Sequence, residues 1–360
     1  MKKNRFIFLA VIFLAVIVLI LFMTNSGTTF KRAMSNFAID DTSNVTKIFM
    51  ADKNNNTLVL SRTVHGTWIV NDKYPAQKFN IDILLGTFLN IQVREPVSKA
   101  AHDNIIRIMA ASAVKVEIYQ WVYRIDLFGN FRFFPHEKMT KSYFVGGATQ
   151  SNRGTYMLME HSSEPFITYL PGLRGFVSSR YMPIEKYWRD YTIFKKTIHE
   201  IREVKIEFPA DPKNSFLVRN NHEKSVEMIS LTDNQLVRNF DTLKVMNLLS
   251  SFRSVSFETL INDIDARRKD SILGSVPFTI ITVTDTLGGV TGIKTFHKQG
   301  EPGNIDYEGH PYPWDLDRMY ATVNEGKDFT LVQFYVFDKI IRPKMFYLPE
   351  QKKSLGKATR

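Results

Sequence analysis

The chain has 360 residues, 44% of them hydrophobic, with 47 basic against 36 acidic side chains and a net charge of +11. That apolar fraction suffices for packed cores in about two domains and excludes a disordered chain, while the interleaving of Lys and Arg with acids argues against nucleic acid as a partner. The absence of cysteine excludes disulfides, thiolate nucleophiles, Cys-ligated zinc and a lipidated cysteine.

After Met1-Lys2-Lys3-Asn4-Arg5, the run from Phe6 to Met23 contains no polar or charged side chain. At 1.5 Å per residue such a helix spans about 27 Å, close to the hydrocarbon thickness of a bilayer. A cleaved signal peptide has an apolar region of only about 7–15 residues and ends at a small-x-small site; the flank here is Thr24-Asn25-Ser26-Gly27. Residues 6–23 are therefore expected to be an uncleaved signal anchor in the inner (cytoplasmic) membrane, with 1–5 a cytoplasmic tip and 24–43 a linker. Lys2, Lys3 and Arg5 hold the N-terminus inside, which places the body in the periplasm or its equivalent.

The body reads as two tandem units, 44–197 and 198–348, followed by a basic tail, 349–360. Val45 to Asp52 and Val204 to Asp211 each form a first strand ending in a polar turn, and Thr57–Ser61 with Thr67–Val70 corresponds to Ser215–Arg219 with Ser225–Ile229 as a three-strand meander. A helical period follows, Ile81, Leu84, Leu85, Phe88 and Leu89 in one unit and Leu243, Met246, Leu249 and Phe252 in the other. Asn80, Asp82, Asp241 and Thr242 are the N-cap candidates. A second helix is expected over Ser98–Ala111 and over Glu258–Ile272, then an alternating strand over Val114–Tyr119 and Phe278–Val283, then a strand-turn-strand ending near Phe166 and Phe329. Each unit is accordingly expected to be α+β, a mostly antiparallel sheet with helices packed on one face.

Several phrases carry a family likeness: Phe37-Ala38-Ile39-Asp40-Asp41-Thr42-Ser43, Val145-Gly146-Gly147-Ala148-Thr149 with Gly154-Thr155-Tyr156-Met157-Leu158, Trp188-Arg189-Asp190, and Asp315-Leu316-Asp317-Arg318-Met319-Tyr320-Ala321. In these the chain resembles the domain-of-unknown-function family 4340, over about Asn36 to Pro343 and in the form found in Bacteroidetes. The resemblance implies an anchored extracytoplasmic bacterial protein and points to a role accessory to an ABC-type transporter. It supplies no activity and no catalytic residues.

No GxSxG, GxxxxGK[ST] or GxGxxG occurs, and the eight histidines show no close ligand spacing. No catalytic residue and no cofactor is assigned. Trp121, Tyr123, Phe131, Phe133 and Phe134 form an aromatic stretch with interleaved Arg and no counterpart in the second unit, so it is an insertion. That composition suits a protein interface or sugar platform, and equally a strand core. Gly146 and Gly147 precede a polar loop containing Arg153, which suits either a hairpin or close approach of an anionic ligand, whereas Gly288-Gly289 reads as a hairpin turn. Asp306, Asp315 and Asp317 are the weak metal candidates; pairing of these acids with Arg318 in a Pro-rich turn is the competing expectation.

Two function classes remain. An aromatic insertion on a tethered frame suits a non-enzymatic binding or scaffold component of a membrane complex, with other envelope proteins as partners. The alternative is a membrane-anchored hydrolase acting on cell-wall or glycan substrates, which distant residues could assemble.

Overall fold

The computed structural model describes residues 11–16, 35–127, 131–221 and 225–349, with the side chains of residues 126, 127 and 131 also outside the description. Of the expected anchor only residues 11–16 are described; they are helical and exposed, and the remainder lies outside the described residues. Among the described residues no helix is long and apolar enough to cross a membrane.

The chain divides into two compact units, Met1–Asp190 and Tyr191–Arg360. The division falls a few residues before the expected one because the segment after Tyr191 is held by the second unit. Strand β10 (Thr192–Phe194) pairs with β14 (Val255–Ser256), and the Lys196 N–H donates to the Phe252 carbonyl.

In the first unit β1 (Val45–Ala51), β2 (Thr57–Arg62), β3 (Trp68–Val70), β4 (Tyr74–Pro75), β5 (Gln92–Pro96), β6 (Val114–Leu127), β7 (Phe131–Ala148), β8 (Thr155–Met159) and β9 (Phe166–Tyr169) form one antiparallel sheet. Its order is β4-β3-β2-β1-β6-β7-β8-β9-β5. The buried residues of β1 are Val45, Ile48 and Met50; the spacing of three then two arises because a bulge follows Val45 in its pairing with β6. Helix α1 (Lys78–Asn90) buries Ile81, Leu84 and Phe88 against this face, while Leu85 is half-buried and Leu89, expected on the core side, is exposed. Its N-cap is Gln77 rather than Asn80 or Asp82; Asn80 instead donates to the Gln77 side chain and to the Tyr187 carbonyl.

The second unit has β11 (Ile201–Glu207), β12 (Phe216–Asn220), β13 (Val226–Ser230), β15 (Thr259–Leu260), β16 (Thr279–Asp285), β17 (Val290–Gln299), β18 (Trp314–Val323) and β19 (Asp328–Gln333), in the order β13-β12-β11-β16-β17-β18-β19-β15. Apart from β4, which has no counterpart, this order repeats that of the first unit strand for strand. Even the bulge recurs: β11 buries Ile201, Val204 and Ile206, with the register shift again after the first of them. The second copy therefore starts at Ile201, three residues earlier than an alignment on Val204 suggests. Helix α3 (Thr242–Ser250) is capped by Asp241, whose carboxylate accepts the Lys244 N–H, and it buries Val245, Leu248 and Leu249. Leu243, expected inward, is exposed; Phe252 is buried just past the helix end.

The helices do not all lie on one face of each sheet. Tyr143, Val145 and Met157 point into the core that α1 covers, whereas their strand neighbours Phe144, Tyr156 and Leu158 pack with Ile105 and Met109 of α2 (Lys99–Ser112). In the second unit Met319 and Ala321 join the α3 core. Tyr320 joins a separate cluster with Phe296, Phe329 and the Ile272 and Leu273 side chains of α4 (Ala266–Leu273). Successive strand residues face opposite sides, so a strand that is apolar at consecutive positions requires a helix on each side. Helix α4 is also much shorter than the expected Glu258–Ile272, because β15 and a turn occupy the first part of that span.

Candidate functional site

The clearest departure from the shared plan is at β6 and β7. Strand β1 pairs with β6 only as far as Gln120, and β8 pairs with β7 only from Tyr143 onward. Beyond these limits β6 and β7 pair with each other alone, through Trp121↔Glu137, Tyr123↔Pro135, Ile125↔Phe133 and Leu127↔Phe131. In the second unit the corresponding hairpin closes within Asp285–Gly289, where Gly288 has φ 88° and Asp285 accepts the N–H groups of Leu287 and Gly289. The first unit thus carries a two-stranded arm where the second has a tight turn.

Residues directly opposite one another in a ladder share a face. One face of the arm therefore carries Tyr123 with Pro135 and Ile125 with Phe133, then Trp121 with the acidic Glu137 at the root, and Tyr119 with Met139 nearer the sheet. These side chains are uncovered: Trp121 is 50% exposed, Tyr123 37%, Ile125 43%, Phe133 51% and Met139 41%. Phe134, at 66%, takes a left-handed φ of 57°, which a bulky residue adopts only at some cost. The Phe131 side chain lies outside the description. The other face carries Val122 and the polar or basic Arg124, His136, Lys138 and Thr140, which together with Tyr123 border a concavity of about 490 Å³. Arg132 lies over the Tyr123 ring, 5.5 Å from its centre.

The root of the arm is tied down. Glu137 accepts from Thr46 Oγ1 at 2.5 Å and pairs with Lys47 at 3.4 Å, and Lys47 in turn sits 3.9 Å from the centre of the Tyr119 ring. The segment leading into β1 also runs past this root. Gln120 Nε2 donates to the Asp41 carbonyl at 3.0 Å, and Lys141 Nζ donates to the Asn36 carbonyl at 2.6 Å. The Asp41 carboxyl is held below the usual carboxylate range by hydrogen bonds from Ser43, with Arg132 and Arg62 adding to the effect.

The remaining candidates do not converge on the arm. A Cβ on Gly146 would stand 3.0 Å from Met109 Cγ and 3.2 Å from the Tyr156 carbonyl oxygen, so this glycine lets α2 approach the sheet. Gly147 has open space beside it, and Arg153 is exposed in the β7–β8 turn. Asp315 is buried and ion-paired to Lys298 at 2.6 Å, while its other oxygen accepts the N–H groups of Asp317 and Arg318. Arg318 pairs with Glu258 at 2.7 and 2.9 Å rather than with the nearby acids, and Asp317 is exposed. Asp306 lies with Glu308 and His310, their ligand atoms within 4.8 Å, but Asp306 already accepts the backbone N–H groups of both and neither Asp315 nor Asp317 joins them.

Sequence reasoning missed Ile125 and Met139 on the apolar face and His136 and Lys138 on the basic one; the alternation across Trp121 to Arg124 was the available signal. It also missed a cleft of about 590 Å³ in the second unit, bordered by Lys244, Lys339 and Arg342 with Tyr335 and Phe346. Those residues come from α3 and from the chain beyond β19, separated by about ninety positions, and no local pattern joins them.

Comparison with protein-family models, with curated proteins and with solved structures finds no match.

Proposed function

We propose that the chain is a membrane-tethered, non-enzymatic protein of the bacterial cell envelope, similar to the domain-of-unknown-function family 4340. In this reading two copies of one unit provide a frame and the β6–β7 arm is its docking element. The observation that carries it is the apolar face of Trp121, Tyr123, Ile125 and Phe133, which no element outside the arm covers among the described residues. A two-stranded ribbon is marginal by itself in water, and aromatic side chains left exposed on one are the composition of a binding surface rather than of a stabilising core. Tethering through residues 6–23 would hold the arm at high local concentration near other envelope components, including a transporter that the chain assists.

The cysteine-free sequence permits a direct test in intact spheroplasts with a membrane-impermeant maleimide. Val64→Cys, in a turn and 97% exposed, should be labelled from outside. Ile125→Cys should be protected until the membrane is solubilised. No labelling at position 64 removes the topology; labelling of position 125 as fast as of position 64 removes the docking arm.

A further inference from the structure

We infer that the surface covering the apolar face of the arm is the lipid interface of the membrane in which the chain is anchored. The inference rests on the tethered docking-arm reading and names what docks. Three observations favour lipid over a protein partner.

The first is reach. Only residues 24–34 separate the apolar run ending at Met23 from the described body. At no more than about 3.6 Å per residue that is at most roughly 40 Å of chain. The second is position. The chain enters the body beside the root of the arm, with Asn36 bonded to Lys141 and Asp41 bonded to Gln120. From that root the seven residues Trp121–Leu127 extend about 23 Å at strand rise. The root of the arm and the entry of the chain into the body thus lie at the same place on the first unit, and a tether of that greatest length keeps the arm within reach of the bilayer surface.

The third is chemistry. Trp121 and Tyr123 are the residue types that settle at the boundary of headgroups and acyl chains, where a ring is buried and its polar edge stays hydrated. Ile125 and Phe133 stand further out along the same face and would enter the apolar side of that boundary. The opposite face offers Arg124 and Lys138, which lie where anionic headgroups would meet them. A ribbon cationic on one side and apolar on the other beyond Glu137, which Thr46 and Lys47 hold at the root, is the β counterpart of an amphipathic helix lying in the interface.

The test uses the full chain reconstituted alone into vesicles of phosphatidylcholine and phosphatidylglycerol. Trp68 and Trp188 are buried and Trp314 is exposed, so a W314F background leaves Trp121 as the exposed tryptophan. Acyl-brominated phosphatidylcholine should extinguish an emission component that W121F,W314F lacks, and aqueous iodide should not reach it. Trp121 open to iodide and untouched by brominated lipid would overturn the inference; protection of Ile125→Cys in spheroplasts would then assign the arm to a protein absent from the vesicles. Trp121 shielded from both quenchers would also overturn it and assign the face to a second copy of the chain. Labelling of Ile125→Cys in spheroplasts together with iodide access in vesicles would remove the docking reading and the inference at once.

Discussion

Lys298 and Asp315 meet at 2.6 Å with the carboxylate 7% exposed, across the β17–β18 pair of the second unit. Burial alone would raise the Asp315 pKa, but the Lys298 hydrogen bond and the N–H groups of Asp317 and Arg318 outweigh it and hold the carboxyl below its ordinary value. The arrangement uses the acid to fasten a strand rather than to hold a metal.

An acid ionised more readily when folded than when unfolded adds stability above its unfolded pKa, about 3.9, and loses it as the pH falls through the lower folded value. Asp315→Asn should therefore lower the melting temperature at neutral pH, and the gap to the parent chain should narrow below about pH 4. A gap that stays constant through the acid range would show that the pair is not the source of the effect.

Leu84 is fully buried on α1 and Leu85 only half so. Truncation of Leu84 to Ala should cost about 2–5 kcal/mol as a core cavity, and Leu85→Ala distinctly less. Denaturant unfolding of the two variants checks the order; equal losses would mean that the helix face is rotated from the one described.

Gly146→Val should destabilise the first unit by about 1–3 kcal/mol, because the added carbons press on Met109 and on the backbone at Tyr156. Gly147→Ala, with open space beside it, should stay within about 0.5 kcal/mol of the parent. Comparison of their thermal unfolding separates a packing role for the glycine pair from a binding one.

The second unit closes the hairpin that corresponds to the arm with Asp285-Thr286-Leu287-Gly288-Gly289. Exchanging residues 121–137 for these five should leave the rest of the first unit folded, since the removed ladder pairs only with itself and the side-chain ties lost to β1 are those of Glu137 to Thr46 and Lys47 at the surface. Circular dichroism should show a cooperative transition near that of the parent chain. Loss of cooperative unfolding would mean that the arm is part of the core.

Much of this architecture was legible from local pattern. Strand and helix periodicity located the meanders, the first helix of each unit and the repetition of one plan, because burial on one face of an element leaves a period of 2.0 or 3.6 in the residues themselves. The aromatic insertion was legible for a related reason: a repeated plan makes an unshared segment stand out. The bulge after Val45 and Ile201 hid the true register of the two copies, since an extra strand residue shifts every following side chain relative to the sequence.

Only the tertiary structure decided which helix covers which face. Tyr143, Phe144 and Val145 are all apolar, and nothing local says that the middle one meets Met109 of α2 while its neighbours meet the core under α1. Likewise Asp315 could not be told from a metal ligand until Lys298 was brought to it across the β17–β18 pair. Whether Phe133 and Trp121 lay in a core or in the open depended on where β1 and β8 stop pairing, a property of strands distant in sequence. The chain's own residues set the period and sign of each surface; the pairing of distant strands determined which surfaces were left uncovered.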